Sequence, residues 1–386
     1  MKLLKTLLVA TFVIAAVSLS AQTGALPAPA SVFGFEPGTD YKLATYTQSV
    51  EYLKKLAAAS SSMKLFEAGK SSQGRTYVYA AISTPANLAN LEKYRQIAQR
   101  LAHPEGLTDA EAKRLAAEGK AIVHIDGGLH ATEVAGPQTM PLLAYDLLRQ
   151  SNDPKFARIL ENVIFLLWPT INPDGQEQVA SHYMKTQGPD GKGGQSFPAL
   201  YQDYVGHDNN RDAYMMNMIE SRVMEHAWRQ WEPQIIYVQH QTAPFPTRIW
   251  LPPFADPIGQ EAPPIISREL NMIGMAMARG LDEKGLPGAT HMGDGFDAWY
   301  PGYIDYMPVF KNIAAFWTET AGAGLANPRT YTINDIPQNM RDFRPEPLYP
   351  SPWKPGEWHL KDSMNYMETA SISTLDFAAR YKEEVL

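Results

Sequence analysis

Between Thr47 and Ala58 the stretch TQSVEYLKKLAA places Val50, Leu53 and Leu56 on one face of a 3.6-residue period, which predicts an amphipathic helix. The period then changes. MKLFEAGKSSQGRTYVYAAIST alternates on either side of Ser72-Gln73-Gly74-Arg75, so two strands joined by a tight turn are expected, with Gly74 where positive φ is easiest. Helical spacing returns around residues 87–102 and 108–118, the second opened by Thr108 with Glu111 three residues on, the spacing of a capping box. AIVHID is a short apolar run of the kind found in a strand buried on both faces. Pro137 to Arg149 reads as a helix, and NVIFLLWPTINPDG as another apolar strand that closes in a Pro-Asp-Gly turn. QIIYVQHQ and NIAAFWTET have the same character. Strands alternating with helices predict an α/β fold: a three-layer α/β/α sandwich on a mixed, mostly parallel central sheet, its ligand cleft beyond the carboxyl ends of the strands.

The two ends of the chain depart from this pattern. Lys2 and Lys5 precede an apolar stretch from Leu7 to Val17 and then small residues, the layout of a secretory signal, so residues 1–21 are assigned to it and a secreted or periplasmic location is expected. Residues 22–40 are rich in Pro, Ala and Gly without periodicity and read as an extended lead-in. Residues 41–327 hold the alternating strands and helices of the main domain. Past Asn327 prolines recur and periodicity fades until Leu360, so residues 328–386 are set apart as a Pro-rich segment plus a C-terminal helix. No Gly or Pro stop signal precedes Leu386, which leaves room for the start of a further region. No later run approaches the roughly 20 apolar residues of a spanning helix, so no membrane span is expected in the mature chain. Oligomeric state leaves no mark in the sequence.

Composition removes several kinds of chemistry. Without Cys, thiol nucleophiles and disulfides are excluded. A net charge of -7 with no long basic run excludes a nucleic-acid footprint. The His-Glu-x-x-His signature is absent, as is the Gly-x-Ser-x-Gly elbow of serine hydrolases.

What remains sits at the strand ends. His130 and Glu133 stand three apart just after AIVHID, a spacing that lets an imidazole and a carboxylate converge on one ion from a tight turn. His240 ends the strand of IIYVQHQ and would be a third ligand. Glu319 ends the apolar strand AAFWTETAG, where burial costs free energy unless the carboxylate faces a cleft, the place of a general base. Taken singly, His-x-x-Glu also describes a surface turn, and a strand-end His a hydrogen-bonded core residue.

In order and context these strand ends resemble the zinc metallocarboxypeptidases of the carboxypeptidase A type. Asn172–Gly175, NPDG, resembles the turn after that family's next strand, and HDNNRD carries Asp208, Asn210 and Arg211 in its Asp-x-Asn-Arg arrangement. GKSSQGRTY is similar to its Gly-x-Ser-x-x-Gly-Arg segment, and Asp305, fourteen residues before Glu319, sits at its spacing. The resemblance covers roughly Tyr41 to Asn327. It implies one Zn2+ held by His130, Glu133 and His240, with an open position for water. It implies Glu319 as general base, Asn210 and Arg211 gripping the terminal carboxylate of a peptide, and Asp208 orienting His130.

The pattern also departs from the family. Met184, in HYMKTQ, stands where the family's oxyanion-stabilising Arg would be, with Lys185 or another cation as a substitute. The family's capping Tyr, counted back from Glu319, falls near Asp297, which makes Tyr300 and Tyr303 the candidates. Ile304 would line the side-chain pocket and favour apolar or aromatic terminal residues. His207, beside Asp208, is the other histidine expected to line the cleft. The expected activity is removal of C-terminal residues from a peptide or N-acyl amino acid. The alternatives are a deacylase or cell-wall peptide amidase on the same scaffold, or a peptide-binding module without turnover.

Overall fold

The computed structural model describes residues 25–202, 205–292, 298–347 and 349–386. The signal assigned to residues 1–21 and the expected capping position at Asp297 lie outside them.

The apolar runs form the middle of an eight-stranded sheet. Its strands are β1 (Met63–Lys70), β2 (Thr76–Ile82), β3 (Ala121–Asp126), β4 (Val163–Trp168), β5 (Ile235–His240), β6 (Ile249–Leu251), β7 (Ala289–His291) and β8 (Ala314–Thr320), in the spatial order β1-β2-β4-β3-β5-β8-β6-β7. β4, β3, β5 and β8 are mutually parallel and fully buried. β1 runs antiparallel to β2 and β2 to β4, and β6 is antiparallel to β8. The result is the expected mixed, mostly parallel sheet. Uniform burial explains why the four central strands read as apolar runs without alternation.

Helices cover both faces. Ala135–Arg149, Pro154–Asn162, Pro264–Glu283 and Leu360–Arg380 pack together on one side. On the other, Ile219–Trp231 sets Trp228 against His124 of β3 and Trp231 against Phe66 of β1. The helix read from Val50, Leu53 and Leu56 runs Tyr46–Ala59, where Thr45 and Gln48 cap each other reciprocally. Thr108 accepts from the Glu111 amide at the start of Asp109–Glu118.

Local differences from the sequence reading have physical causes. Residues 87–102 divide at Asn90 into Pro85–Ala89 and Leu91–Ala102. The lead-in contains one helical turn, Ala30–Phe33, because Phe33 is apolar enough to bury against Tyr52. The NPDG segment opens the helix Pro173–Lys185: Asn172 Oδ1 accepts from the Gly175 amide 2.9 Å away, and Pro173 occupies the first turn, where no amide hydrogen is needed.

The segment after Asn327 differs from the rest in composition but shares its core. Tyr331, Ile336, Trp353 and Trp358 are buried with the main cluster. Tyr331, Trp353 and Trp358 gather with Phe245 around Arg248, which is 1% exposed, and whose guanidinium carbon lies 4.0 Å from the Trp353 ring centre and 4.6 Å from that of Trp358. Cation–π attraction stands in for the water that this charge gave up. The Leu360–Arg380 helix then spans the sheet, receiving Gln239 of β5 on Ser371 at 2.9 Å.

Candidate metal centre

Parallel pairing brings the carboxyl ends of β4, β3, β5 and β8 to one edge of the sheet, and His240 and Glu319 are partners in the β5–β8 register. The turn after β3 has to leave a narrow slot between β4 and β5. A Cβ on Gly127 would fall 2.3 Å from the Pro169 carbonyl oxygen, and one on Gly128, where φ is +84°, 2.2 Å from that of Gln239. The slot is fixed by hydrogen bonds. Asp126 accepts from the Gly128 amide at 2.7 Å and from His124 Nε2 at 2.7 Å. Asn172 and Asn209 each donate their side-chain amide to the Leu129 carbonyl, at 2.8 and 2.7 Å. His130 follows directly from this clamped residue.

His130, Glu133 and His240 come together with their ligand atoms within 4.8 Å of one another. His240 Nδ1 lies 3.2 Å from His130 Nδ1 and 3.0 Å from Glu133 Oε2, and His130 Nδ1 lies 3.1 Å from Glu133 Oε1. Each imidazole hands its other nitrogen to a carboxylate: His130 Nε2 to Asp208 at 3.0 Å and His240 Nε2 to Asp305 at 2.9 Å. With Nε2–H donating outward, the two Nδ1 lone pairs face each other and the glutamate. Glu133 Oε2 is buried and, among the described residues, receives no hydrogen bond of good geometry despite the nearby nitrogen.

Such a cluster of acceptors needs a cation at its centre. Ligands about 2.0–2.1 Å from a tetrahedral ion stand about 3.3 Å apart, close to the spacings here, so the three residues fit one zinc ion. The electrostatics agree. Burial opposes charge on His130, yet Glu133 and Asp208 outweigh it and raise the imidazole to about 9. His240 is raised well above its ordinary value, again against burial and chiefly by Glu133. Burial pushes Glu133 up, but His240 and His130 hold it well below the usual carboxylate range. The site therefore favours positive charge, which a divalent ion supplies with better geometry than two protons.

Glu319 stands beside this cluster, 4% exposed. Burial pushes it up to about 7, aided by Glu133 and opposed by His240. Its Oε2 accepts from both the amide and the hydroxyl of Thr242, at 2.8 and 2.7 Å.

On the other flank, Arg211 lies with its guanidinium carbon 4.7 Å from the Tyr303 ring centre and 5.5 Å from that of Tyr300. Its Nη1 donates to the Asn210 carbonyl at 2.7 Å. Tyr300 is exposed, whereas Ile304 is buried and its amide donates to Asn210 Oδ1 at 3.0 Å. His207 is half-buried, with Nδ1 2.8 Å from the Asp208 carbonyl and Nε2 3.7 Å from Asp212.

Met184 takes a different direction. Its sulfur accepts from the Leu43 amide at 3.4 Å, and it is half-buried against the cluster that holds Leu43, lining a surface pocket with Phe33 and Phe35; Lys185 is exposed and lines a pocket with Arg75, Glu177 and His182. Met184→Arg is therefore expected to lower the melting temperature, by crowding and charging this apolar contact, and to leave kcat unchanged. A rise in kcat would show that the new guanidinium reaches the reaction centre.

Several residues around the site escaped the sequence reading. Thr242 belongs to no motif, Asn209 fills the variable position of Asp-x-Asn-Arg, and only its spacing from Glu319 marks Asp305. Tyr201 lies near Glu133 and Asp208, and burial with their charge raises its phenol. The two motifs GKSSQGR and NPDG act together: buried Asp174 accepts from Ser71 Oγ, the Gln73 amide and Arg75 at 2.8, 2.9 and 2.8 Å. Glu220 binds Ser72 from the opposite side.

An α/β sheet with a two-histidine, one-glutamate site at its carboxyl edge and a neighbouring buried glutamate defines a mononuclear metallohydrolase type of centre. Comparison with known proteins narrows the class. The sequence profile described as zinc carboxypeptidase matches residues 49–234, a little under half of the chain. The matched span includes His130, Glu133, Asp208, Asn210 and Arg211; His240 and Glu319 lie beyond it and join them through the fold.

Carboxypeptidase B of Astacus astacus is 45% identical over 56 residues, 14% of this chain and 18% of that protein. Carboxypeptidase 2 of Trichophyton rubrum is 29% identical over 144 residues, 37% of this chain and 22% of that protein. The matches thus span less than a quarter of either relative. A metallo-carboxypeptidase from Burkholderia cenocepacia superposes with a TM-score of 0.53 at 14% identity, covering 89% of this chain and 70% of that one, a likeness of fold. Among the described residues no helix is long and apolar enough to cross a membrane.

Proposed function

We propose that this protein is an exported zinc-dependent carboxypeptidase that hydrolyses the C-terminal bond of peptides. The observation that carries this reading is the convergence of His130 Nδ1, His240 Nδ1 and the Glu133 carboxylate beside the buried Glu319. Export is supported by the charge and apolar pattern of residues 1–21.

Zinc held by His130, Glu133 and His240 would supply Lewis acidity toward the scissile carbonyl and acidify a water toward neutrality. The remaining work falls to the chain. Thr242 occupies Oε2 of Glu319, which directs Oε1 to the attacking water; Glu319 takes its proton there and returns it to the leaving amine. Burial, which raises this carboxyl, suits it to take a proton and then give it up. Arg211, braced against Tyr303, offers its remaining N–H groups to the substrate's terminal carboxylate. Tyr300 and Tyr303 flank that carboxylate, and Ile304 helps to shape an apolar side-chain pocket. Asp208 and Asp305 keep the histidines in the tautomer that a metal requires.

The deciding experiment measures metal and turnover together on an N-acylated dipeptide with a free carboxylate. One zinc per chain is expected, with hydrolysis lost on chelation and recovered when one equivalent of zinc is added. Undiminished hydrolysis after the metal is stripped would overturn the proposal.

A further inference from the structure

Asn210 immediately precedes Arg211, a position that suggests a second grip on a substrate carboxylate. Its polar groups are occupied elsewhere. The backbone amide donates to Asp208 Oδ1 at 2.7 Å, and that oxygen also accepts from His130 Nε2 at 3.0 Å. The side-chain Nδ2 donates to Asp305 Oδ2 at 2.8 Å, and that oxygen also accepts from His240 Nε2 at 2.9 Å. Oδ1 accepts from the Ile304 amide, and the carbonyl accepts from Arg211 Nη1. The residue is 5% exposed.

One asparagine therefore binds both carboxylates that orient the two histidines, each on the very oxygen that its histidine uses. The contact with Asp208 is local and made by the backbone amide, whereas the side-chain contact with Asp305 reaches across 95 residues and depends on the asparagine itself. Asp305 is the more dependent partner. It is 1% exposed; among the described residues its Oδ1 has no hydrogen-bond donor, and its Oδ2 has the donors His240 and Asn210. Without the Asn210 amide the buried carboxylate would keep a single donor and could rotate toward another, taking the His240 ring with it.

We infer that Asn210 is a positioning residue that locks the two metal-site histidines to each other through Asp208 and Asp305, and so couples Arg211 to the metal centre. This rests on the reading of His130, Glu133 and His240 as zinc ligands. Its distinguishing consequence is that Asn210 controls metal affinity, which a residue serving only as a carboxylate grip would not.

Zinc dissociation constants of the wild type, Asn210→Ala and Asn210→Asp are to be measured by competition with a chromogenic chelator, with KM and kcat on a free-carboxylate substrate and its amidated counterpart. Asn210→Asp preserves shape and the acceptor for Ile304 but puts an acceptor where Asp305 needs a donor. Both variants are expected to bind zinc about 10- to 100-fold more weakly, the usual cost of losing an outer partner of a ligand. At saturating zinc both should lose kcat on the two substrates alike. Melting curves without metal establish that each variant is folded; should Asn210→Ala not fold, Asn210→Asp carries the test. Wild-type zinc affinity in a folded variant, with KM raised only for the free carboxylate, would overturn the inference and return Asn210 to the substrate. Failure of the wild type itself to bind zinc would instead overturn the metal-centre reading beneath it.

Discussion

Glu319→Gln should reduce kcat by about 10²–10⁴-fold while zinc is retained at one per chain, because the substitution removes the proton acceptor and leaves the ligands untouched. The amide is close in shape to the carboxylate, and its carbonyl oxygen can still accept from the amide and hydroxyl of Thr242, so the side chain should stay in place. Loss of zinc in this variant would mean that Glu319 is itself a ligand. A kcat within a few-fold of wild type would place the general base elsewhere. Stability gives a second readout. Burial raises Glu319 to about 7, so between the ordinary carboxylate range and that value the folded chain keeps a proton that the unfolded chain has released. Folding stability from this group therefore falls as pH rises across that window, and the metal-free Gln variant should lack this component of the slope. Melting temperatures of the two metal-free proteins from pH 4 to 8 would show it.

The parts of this site that were legible in the sequence are those fixed by strand ends. AIVHID, VIFLLW, IIYVQH and AAFWTET are buried on both faces, so each reads as an unbroken apolar run, and the polar residues that end three of them or follow closely stand out. His130, His240 and Glu319 announce themselves in this way. Less visible are contacts whose meaning depends on the partner. Thr242 becomes significant only because β5 and β8 are adjacent and its amide and hydroxyl reach Glu319, the register partner of His240. Asn209 matters through the Leu129 carbonyl, 80 residues away. Short strands were also silent: β6 and β7 have three residues each, too few for a period to register. Arg248 marks the same limit from the opposite side. Sequence rules put arginine in water, and only an aromatic enclosure assembled from residues 245, 331, 353 and 358 makes its burial tolerable. That enclosure also unites the Pro-rich segment with a core from which its composition separates it.

The choice of substrate turns on Arg211. Its guanidinium is exposed enough to meet a ligand, since 40% of the side chain is accessible, yet its plane is steadied by Tyr303 and by the bond to the Asn210 carbonyl. Among the described residues its one ion-pair partner, Asp208 Oδ2, is 3.8 Å away, too far for a strong competing pair. A charge-assisted, two-pronged bond to a substrate carboxylate contributes about 1.5–3 kcal/mol, so Arg211→Ala is expected to lower kcat/KM for free-carboxylate substrates by roughly 10- to 150-fold. Amidated or esterified substrates lack the partner and should change by no more than about threefold. Arg211→Lys should recover only part of the loss, because an ammonium keeps the charge without the fork. Equal losses on free and blocked substrates would deny the anchor role. If the wild-type enzyme also hydrolysed blocked substrates as well as free ones, the same metal centre would belong to an amidase, with specificity set by groups other than Arg211.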